Sequence, residues 1–187
     1  MYESSDLRKG LKIEIDGDPY VVVQFDFVKP GKGQALYKCR LKNMVTGIQF
    51  DKTYRSGEKF QPASLEEVKM EYLYADGENF CFMKSDTYEQ EFLTAEQVGD
   101  AKDLLKENTV CDVLLFQDRP IGLTLPIFME MTVTKADPWV KGDTASGDTK
   151  PATVETGYQL QVPPFIEEGE IIRIDTRTGQ YVERVNK

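Results

Sequence analysis

The sequence predicts an all-β protein built from three small barrels in series, and three observations carry that prediction. Apolar residues recur with period two, as in Leu11, Ile13 and Ile15 or Val68, Met70, Tyr72 and Tyr74. Such alternation marks strands with one face on a core. Turn pairs Asp16-Gly17, Asp76-Gly77 and Thr178-Gly179 punctuate these runs at hairpin spacing. A helical period occurs in one stretch, 94–106. At 187 residues, with 40% hydrophobic and 29% charged residues, the chain has room for one larger domain or two or three small ones.

In the first 62 residues, Leu11–Ile15 forms a hairpin across Asp16-Gly17 into Tyr20–Val28, and the chain returns along Ala35–Leu41. Gly47 punctuates, Gln49–Tyr54 adds a strand, and Glu58–Ser64, with Pro62, marks a boundary. Five or so short strands in this length predict an SH3-like barrel over residues 1–63. Residues 64–127 restart the pattern: Val68–Tyr74, then Phe80 and Phe82, then Thr109–Phe116 and Ile121–Leu125. Thr94-Ala95-Glu96-Gln97 has the form of a capping box, followed by Val98, Ala101 and Leu105 at helical spacing, so one helix is expected to about Lys106. Strands with one such helix between the third and fourth give the order of an OB-fold. In 128–187, Phe128–Val133 is a strand, Val140–Thr149 an exposed polar loop, and Ile171–Ile174 with Tyr181–Val185 a hairpin. A second OB-like barrel without the helix is expected there.

The whole chain is organised around the hairpin Tyr20–Met44. Val21, Val23, Phe25 and Phe27 alternate on one strand, and Ala35, Tyr37, Cys39 and Leu41 on the other. Between them runs Lys29-Pro30-Gly31-Lys32-Gly33. Pro30 fixes its own φ, and the two glycines permit the positive φ of a tight reversal. This predicts a projecting arm with a lysine at its tip. From Lys29 to Phe50 there are five basic residues and no acidic one, in a chain of net charge -9.

That charge is uneven. Residues 1–62 hold 11 Lys and Arg against 8 Asp and Glu, whereas 63–127 hold 5 against 14. A basic end that meets polyanion and an acidic middle that does not are the natural reading. There is no histidine, which removes the usual general base and metal ligand. Cys39, Cys81 and Cys111 are scattered and odd in number, and each lies in a strand pattern. Buried free thiols in a reducing cytosol are expected, with no zinc site and no disulfide. The N-terminus lacks signal-peptide order, and no apolar run reaches membrane-span length.

Three motifs carry a resemblance over the full length. They are the tip Lys29–Ala35; Gly142-Asp143-Thr144-Ala145 followed by Lys150-Pro151-Ala152-Thr153; and Gly157, Val162-Pro163, Ile166 and Gly169, continuing into Ile174–Gly179. Together they resemble the bacterial elongation factor P family. The resemblance implies a KOW/SH3-like barrel followed by two OB-folds, L-shaped with the outline of a transfer RNA. It implies a cytoplasmic, non-catalytic factor that enters the ribosome between the peptidyl- and exit-tRNA sites and relieves stalling at consecutive prolines. The implied partners are 23S and 16S rRNA, ribosomal proteins, peptidyl-tRNA and a lysine-modifying enzyme, with no membrane and no DNA. It aligns Lys32 with a residue modified in many members, most often by β-lysylation, and implies no cofactor. It also makes Gly142, Asp143 and Thr144 a loop that reaches messenger RNA at the exit site.

Each candidate also has an ordinary reading. Glycine-flanked lysines on hairpin tips are commonly solvated and inert. Lys38, Arg40 and Lys42 fit a solvated sheet face as well as a phosphate-binding one, and Lys29 shares the argument; the missing acids favour phosphate. Pro30, Gly31 and Gly33 trim bulk, so backbone can approach RNA closely. Gly142–Thr144 fits a plain linker by composition; the spacing of Asp143 and Asp148 does not suit an EF-hand. Tyr181 and Arg184 are candidates for ribosomal RNA contact, and Trp139 is expected to fill space beside Pro138 rather than to stack on a base. Two rival functions stay open. One is a plain RNA-binding module; the other is an enzyme with Lys32 as nucleophile, which would need a desolvated amine.

Overall fold

The computed structural model describes residues 1–138 and 149–185. Three sheets, of six, five and five strands, account for nearly all of its regular structure. The residues group into two compact units: Met1–Glu66 with Leu115–Ile121, and Glu67–Leu114 with Gly122–Lys187.

The first sheet contains β1 (Tyr2–Glu3), β2 (Lys12–Ile15), β3 (Asp18–Val28), β4 (Leu36–Asn43), β5 (Gln49–Arg55) and β6 (Lys59–Pro62), in the order β1-β6-β2-β3-β4-β5. Asp16 and Gly17 turn β2 into β3 with φ of 51° and 85°. Two left-handed residues make the primed turn that matches strand twist. Leu11, Ile13, Val22, Cys39, Leu41, Tyr54 and Phe60 form the core.

Two expectations change here. Val22 is fully buried, whereas Val21 and Val23 are not. The ladder runs Val22↔Leu41 and then Gln24↔Arg40, leaving Val23 as an extra residue. This β-bulge shifts the inward parity by one, so Phe25 and Phe27 continue the face that Val22 began. The stretch read as a boundary contributes β6, which pairs with β1 and β2 and buries Phe60 against Tyr54, ring centroids 4.6 Å apart. Its single buried apolar side chain was too little pattern to announce a strand.

The second sheet contains β7 (Leu65–Asp76), β8 (Asn79–Lys84), β9 (Gln90–Thr94), β10 (Val110–Phe116) and β11 (Arg119–Thr124), in the order β11-β10-β7-β8-β9. The first strand lies centrally, beside the second and fourth, as an OB-fold requires. Another bulge, between Tyr72 and Tyr74, leaves Tyr72 buried and Tyr74 45% exposed. The capping box forms as expected. Gln97 N–H donates to Thr94 Oγ1 at 3.2 Å, and Thr94 N–H donates to Gln97 Oε1 at 3.0 Å. The helix it starts is shorter than expected: α1 (Ala95–Val98) stops at Gly99, and Gly99–Asp103 continues as 3-10 helix. Gly99 caps α1 at φ 61°, ψ -140°, outside the α-helical region, so the α-helix cannot run on through it.

The third sheet contains β12 (Phe128–Ala136), β13 (Lys150–Val154), β14 (Gln159–Val162), β15 (Ile171–Asp175) and β16 (Gln180–Arg184), in the order β14-β13-β12-β15-β16. Met131, Val154, Val162, Ile166, Ile172 and Ile174 fill its core, and Leu104, just after the 3-10 turn, is buried in that same cluster. The joint between second and third sheets is also polar. Lys106 Nζ donates to the Glu130 carbonyl at 2.7 Å and pairs with Glu155 at 3.5 Å, and the Thr156 hydroxyl donates to the Asp103 carbonyl at 2.5 Å.

Candidate functional site

The arm is a consequence of how its two strands end. β3 and β4 stay paired from Tyr20↔Asn43 out to Val28↔Leu36, past Cys39, the last fully buried core residue of β4, and past Phe25 and Tyr37, which pack half-buried at the rim of that core. Pro30 cannot donate to a further rung. The chain therefore opens into a seven-residue loop, 29–35, in place of the expected tight reversal. Only Gly33 of its glycines takes a left-handed φ, 118°, where a β-carbon would sit 3.9 Å from the Pro30 ring; Gly31 does not need positive φ. Lys29 through Gln34 are all exposed. Neither Lys29 nor Lys32 has a hydrogen-bond or ion-pair partner among the described residues.

The base of the arm is held by Asn43, which is 5% exposed. Its Oδ1 accepts from Val45 N–H at 2.8 Å and Thr46 N–H at 3.0 Å, and its Nδ2 donates to Asp18 at 3.1 Å and to the Tyr20 hydroxyl at 3.3 Å. This fully used amide turns β4 into β5, and Gly47 finishes the turn at φ 78°. The resulting register puts Arg40 opposite Asp51.

That pairing alters the predicted cationic face. Lys38, Arg40 and Lys42 do share one exposed face of β4. Arg40 is held by Asp51 in a forked pair, Nε to Oδ1 at 2.8 Å and Nη2 to Oδ2 at 3.3 Å. The hydrogen bond, together with the opposite charges, raises the Arg40 pKa and lowers that of Asp51. Asp26 stands opposite Lys38 in the ladder, and a depression of about 200 Å³ lies over Gln24, Asp26, Lys38, Arg40, Asp51 and Thr53. Lys38 and Lys42 make no ion pair among the described residues. Asp51 sits one residue beyond the acid-free run that ends at Phe50, so the count of charges along that run does not include it. The register through the turn at 44–48 was the available signal.

In the other compact unit, Tyr181 is half-buried against the core of the third sheet, and burial raises its pKa. Arg184 lies over the Phe165 ring, 5.1 Å from its centroid, and pairs with Glu170 at 3.4 Å. The candidates Gly142, Asp143 and Thr144, and Trp139 with them, lie outside the described residues. Cys39, Cys81 and Cys111 are buried free thiols, as expected. Among the described residues no group of acidic and thiol side chains could hold a metal ion. No described helix is long and apolar enough to cross a membrane.

Comparison with known proteins gives a consistent result along the chain. Three family profiles match: the elongation factor P KOW-like domain over residues 3–60, the elongation factor P OB domain over 65–123, and the elongation factor P C-terminal domain over 129–184. The elongation factor P of Desulfosudis oleivorans is 70% identical over 187 residues, the whole of both chains. That of Desulforapulum autotrophicum is 66% identical, also over the whole of both chains. That of Carboxydothermus hydrogenoformans is 50% identical over 99% of this chain and all of its own. Among solved structures, the translation initiation factor 5A from Methanococcus jannaschii covers 67% of this chain and 92% of its own, with a TM-score of 0.50 at 20% identity. At that identity the likeness is one of fold.

Proposed function

The chain belongs to the elongation factor P family and is a translation factor, and on that premise we propose that it binds the ribosome between the peptidyl- and exit-tRNA sites and relieves stalling at consecutive prolines. The observation that carries this reading is the exposed Lys32, without a partner among the described residues, at the end of a strand pair that outruns its own core. Such an arm presents a flexible ammonium on a stiff support, suited to a narrow polyanionic site.

The factor does no bond chemistry in this scheme. Proline is a sluggish nucleophile because its ring constrains the amine. Lys32, with Lys29, Pro30, Gly31 and Gly33 close to the acceptor end of peptidyl-tRNA, steadies that end in a reactive pose. Orientation is worth up to roughly 7–11 kcal/mol, and about 1.4 kcal/mol already gives tenfold. Lys38 and Lys42 meet ribosomal RNA phosphates; Arg40 does so through a guanidinium that Asp51 already orients. In this reading the chain forms three domains, 1–63, 64–127 and 128–187. The third carries Tyr181 and Arg184 toward ribosomal RNA and Gly142, Asp143 and Thr144 toward messenger RNA. The exposed primary amine of Lys32 suits covalent extension, such as β-lysylation by a dedicated enzyme, in the cytoplasm.

The test is a reconstituted translation system with a triple-proline reporter. Lys32→Ala is expected to fold normally and lose most of the rescue, because an exposed tip contributes little to stability. Rescue equal to wild type would overturn the proposal, and equal binding to ribosomes without rescue would support it. For the modification, protein from its native cells should weigh more than the 21.3 kDa sequence, with the excess mapping to the peptide containing Lys32. An unmodified mass would refute that part alone.

A further inference from the structure

The arm has two faces, and only one is cationic. On the other, Phe27 pairs across the strands with Tyr37, ring centroids 5.1 Å apart, and Phe25 stacks on Tyr37 at 6.3 Å with the planes 27° apart. Phe25 and Tyr37 are half-buried at the rim of the first core, whereas Phe27 is 51% exposed. Phe27 lies beyond the buried cluster and contributes nothing to it. A large ring left half in water, yet braced by a neighbouring ring on paired strands, is a surface prepared for a partner.

The surroundings select that partner. Lys29 is two residues away, Lys32 five, and no acidic residue occurs between Lys29 and Phe50. A polymer that offers a flat π face together with a phosphate at every step fits both features, and it must be unpaired, since a duplex hides its base faces. Sites for single-stranded nucleic acid combine these two elements: aromatic platforms and a cationic track. We infer that Phe27, backed by Tyr37 and Phe25, stacks on one unpaired nucleobase of the RNA strand whose phosphates meet Lys29 and Lys32. The inference rests on the reading that the arm enters an RNA site, and it deepens that reading by assigning the arm's apolar face.

Two measurements on the full chain test it. The native sequence has one tryptophan, so Phe27→Trp adds a reporter whose emission can be corrected against the unsubstituted protein. Millimolar single-stranded oligoadenylate at low salt should quench that added emission saturably, while duplex RNA of equal length should leave it unchanged. No quenching, or equal quenching by the duplex, overturns the platform. In the triple-proline assay at saturating factor, Phe27→Ala should slow rescue on the order of tenfold, the cost of losing one stacked base, and Phe27→Trp should restore most of it. Its exposure means Phe27→Ala should melt within a few degrees of wild type, which separates a contact from a folding defect. If Phe27→Ala rescues like wild type while Lys32→Ala does not, the arm keeps its function and the platform falls. If Lys32→Ala also rescues normally, the functional reading falls with it.

Discussion

A β-carbon added at Gly179 would collide with the Tyr158 hydroxyl, whose oxygen donates its proton to the Gly179 carbonyl at 2.9 Å. Gly179 also takes φ 74° in the turn between β15 and β16. Gly31, by contrast, takes no left-handed φ, and a β-carbon there meets nothing within 4 Å. Gly179→Ala is therefore expected to cost roughly 2–3 kcal/mol, from left-handed strain plus the lost hydrogen bond. Gly31→Ala should stay within about 0.5 kcal/mol of wild type. Urea midpoints measure both. Any functional loss in Gly31→Ala then reports close approach by a partner, and not stability. Asp51 makes the same point for charge: a carboxylate one residue past the acid-free run changes what Arg40 can offer.

At the scale of elements, the capping box and the helix behind it obey different constraints. Thr94 and Gln97 were legible because a cap is local, two side chains closing on two backbone amides three residues apart. The end of the helix was not legible, because Val98, Ala101 and Leu105 keep a helical spacing that the backbone abandons at Gly99. A long helix and the observed short one give opposite signs for one substitution. In a helix running to Lys106, Gly99→Ala would stabilise by about 1 kcal/mol. At φ 61°, ψ -140°, it should destabilise by roughly 1–3 kcal/mol. Thermal unfolding of that single variant decides. The bulges at Val23 and Leu73 escaped for a related reason, since one extra residue in a strand leaves the composition unchanged while reversing the face of every later residue in that strand.

For the whole molecule, buried protons set the pH range of stability. Burial pushes the Cys111 thiol up from 9.0 to about 12. Burial, and then the neighbouring Cys39, pushes the Tyr54 hydroxyl up from 10.0 to about 12. Both groups hold their protons in the folded state at pH values where the unfolded chain has released them. Their contribution is complete below about pH 9 and is lost as pH rises toward 12. With no histidine, stability should be nearly flat from about pH 6 to 8 and then fall steadily above about 9. Urea midpoints across that range test it; a midpoint unchanged at about pH 11 would contradict the burial of these groups.

By itself the sequence determined the all-β class, the turns at Asp16-Gly17 and Thr178-Gly179, the cap at Thr94, the buried thiols and the lysine-tipped loop. Each of these is written within a few neighbouring residues, as a period, a pair of turn formers or a local hydrogen bond. Tertiary structure decided which side of a bulge faces inward, that Lys59–Pro62 closes the first sheet, that Leu104 belongs to the third sheet's core, and that Asp51 holds Arg40. Those outcomes depend on register between strands distant in sequence. Register is set by the best joint burial of many side chains, a sum that no local window contains.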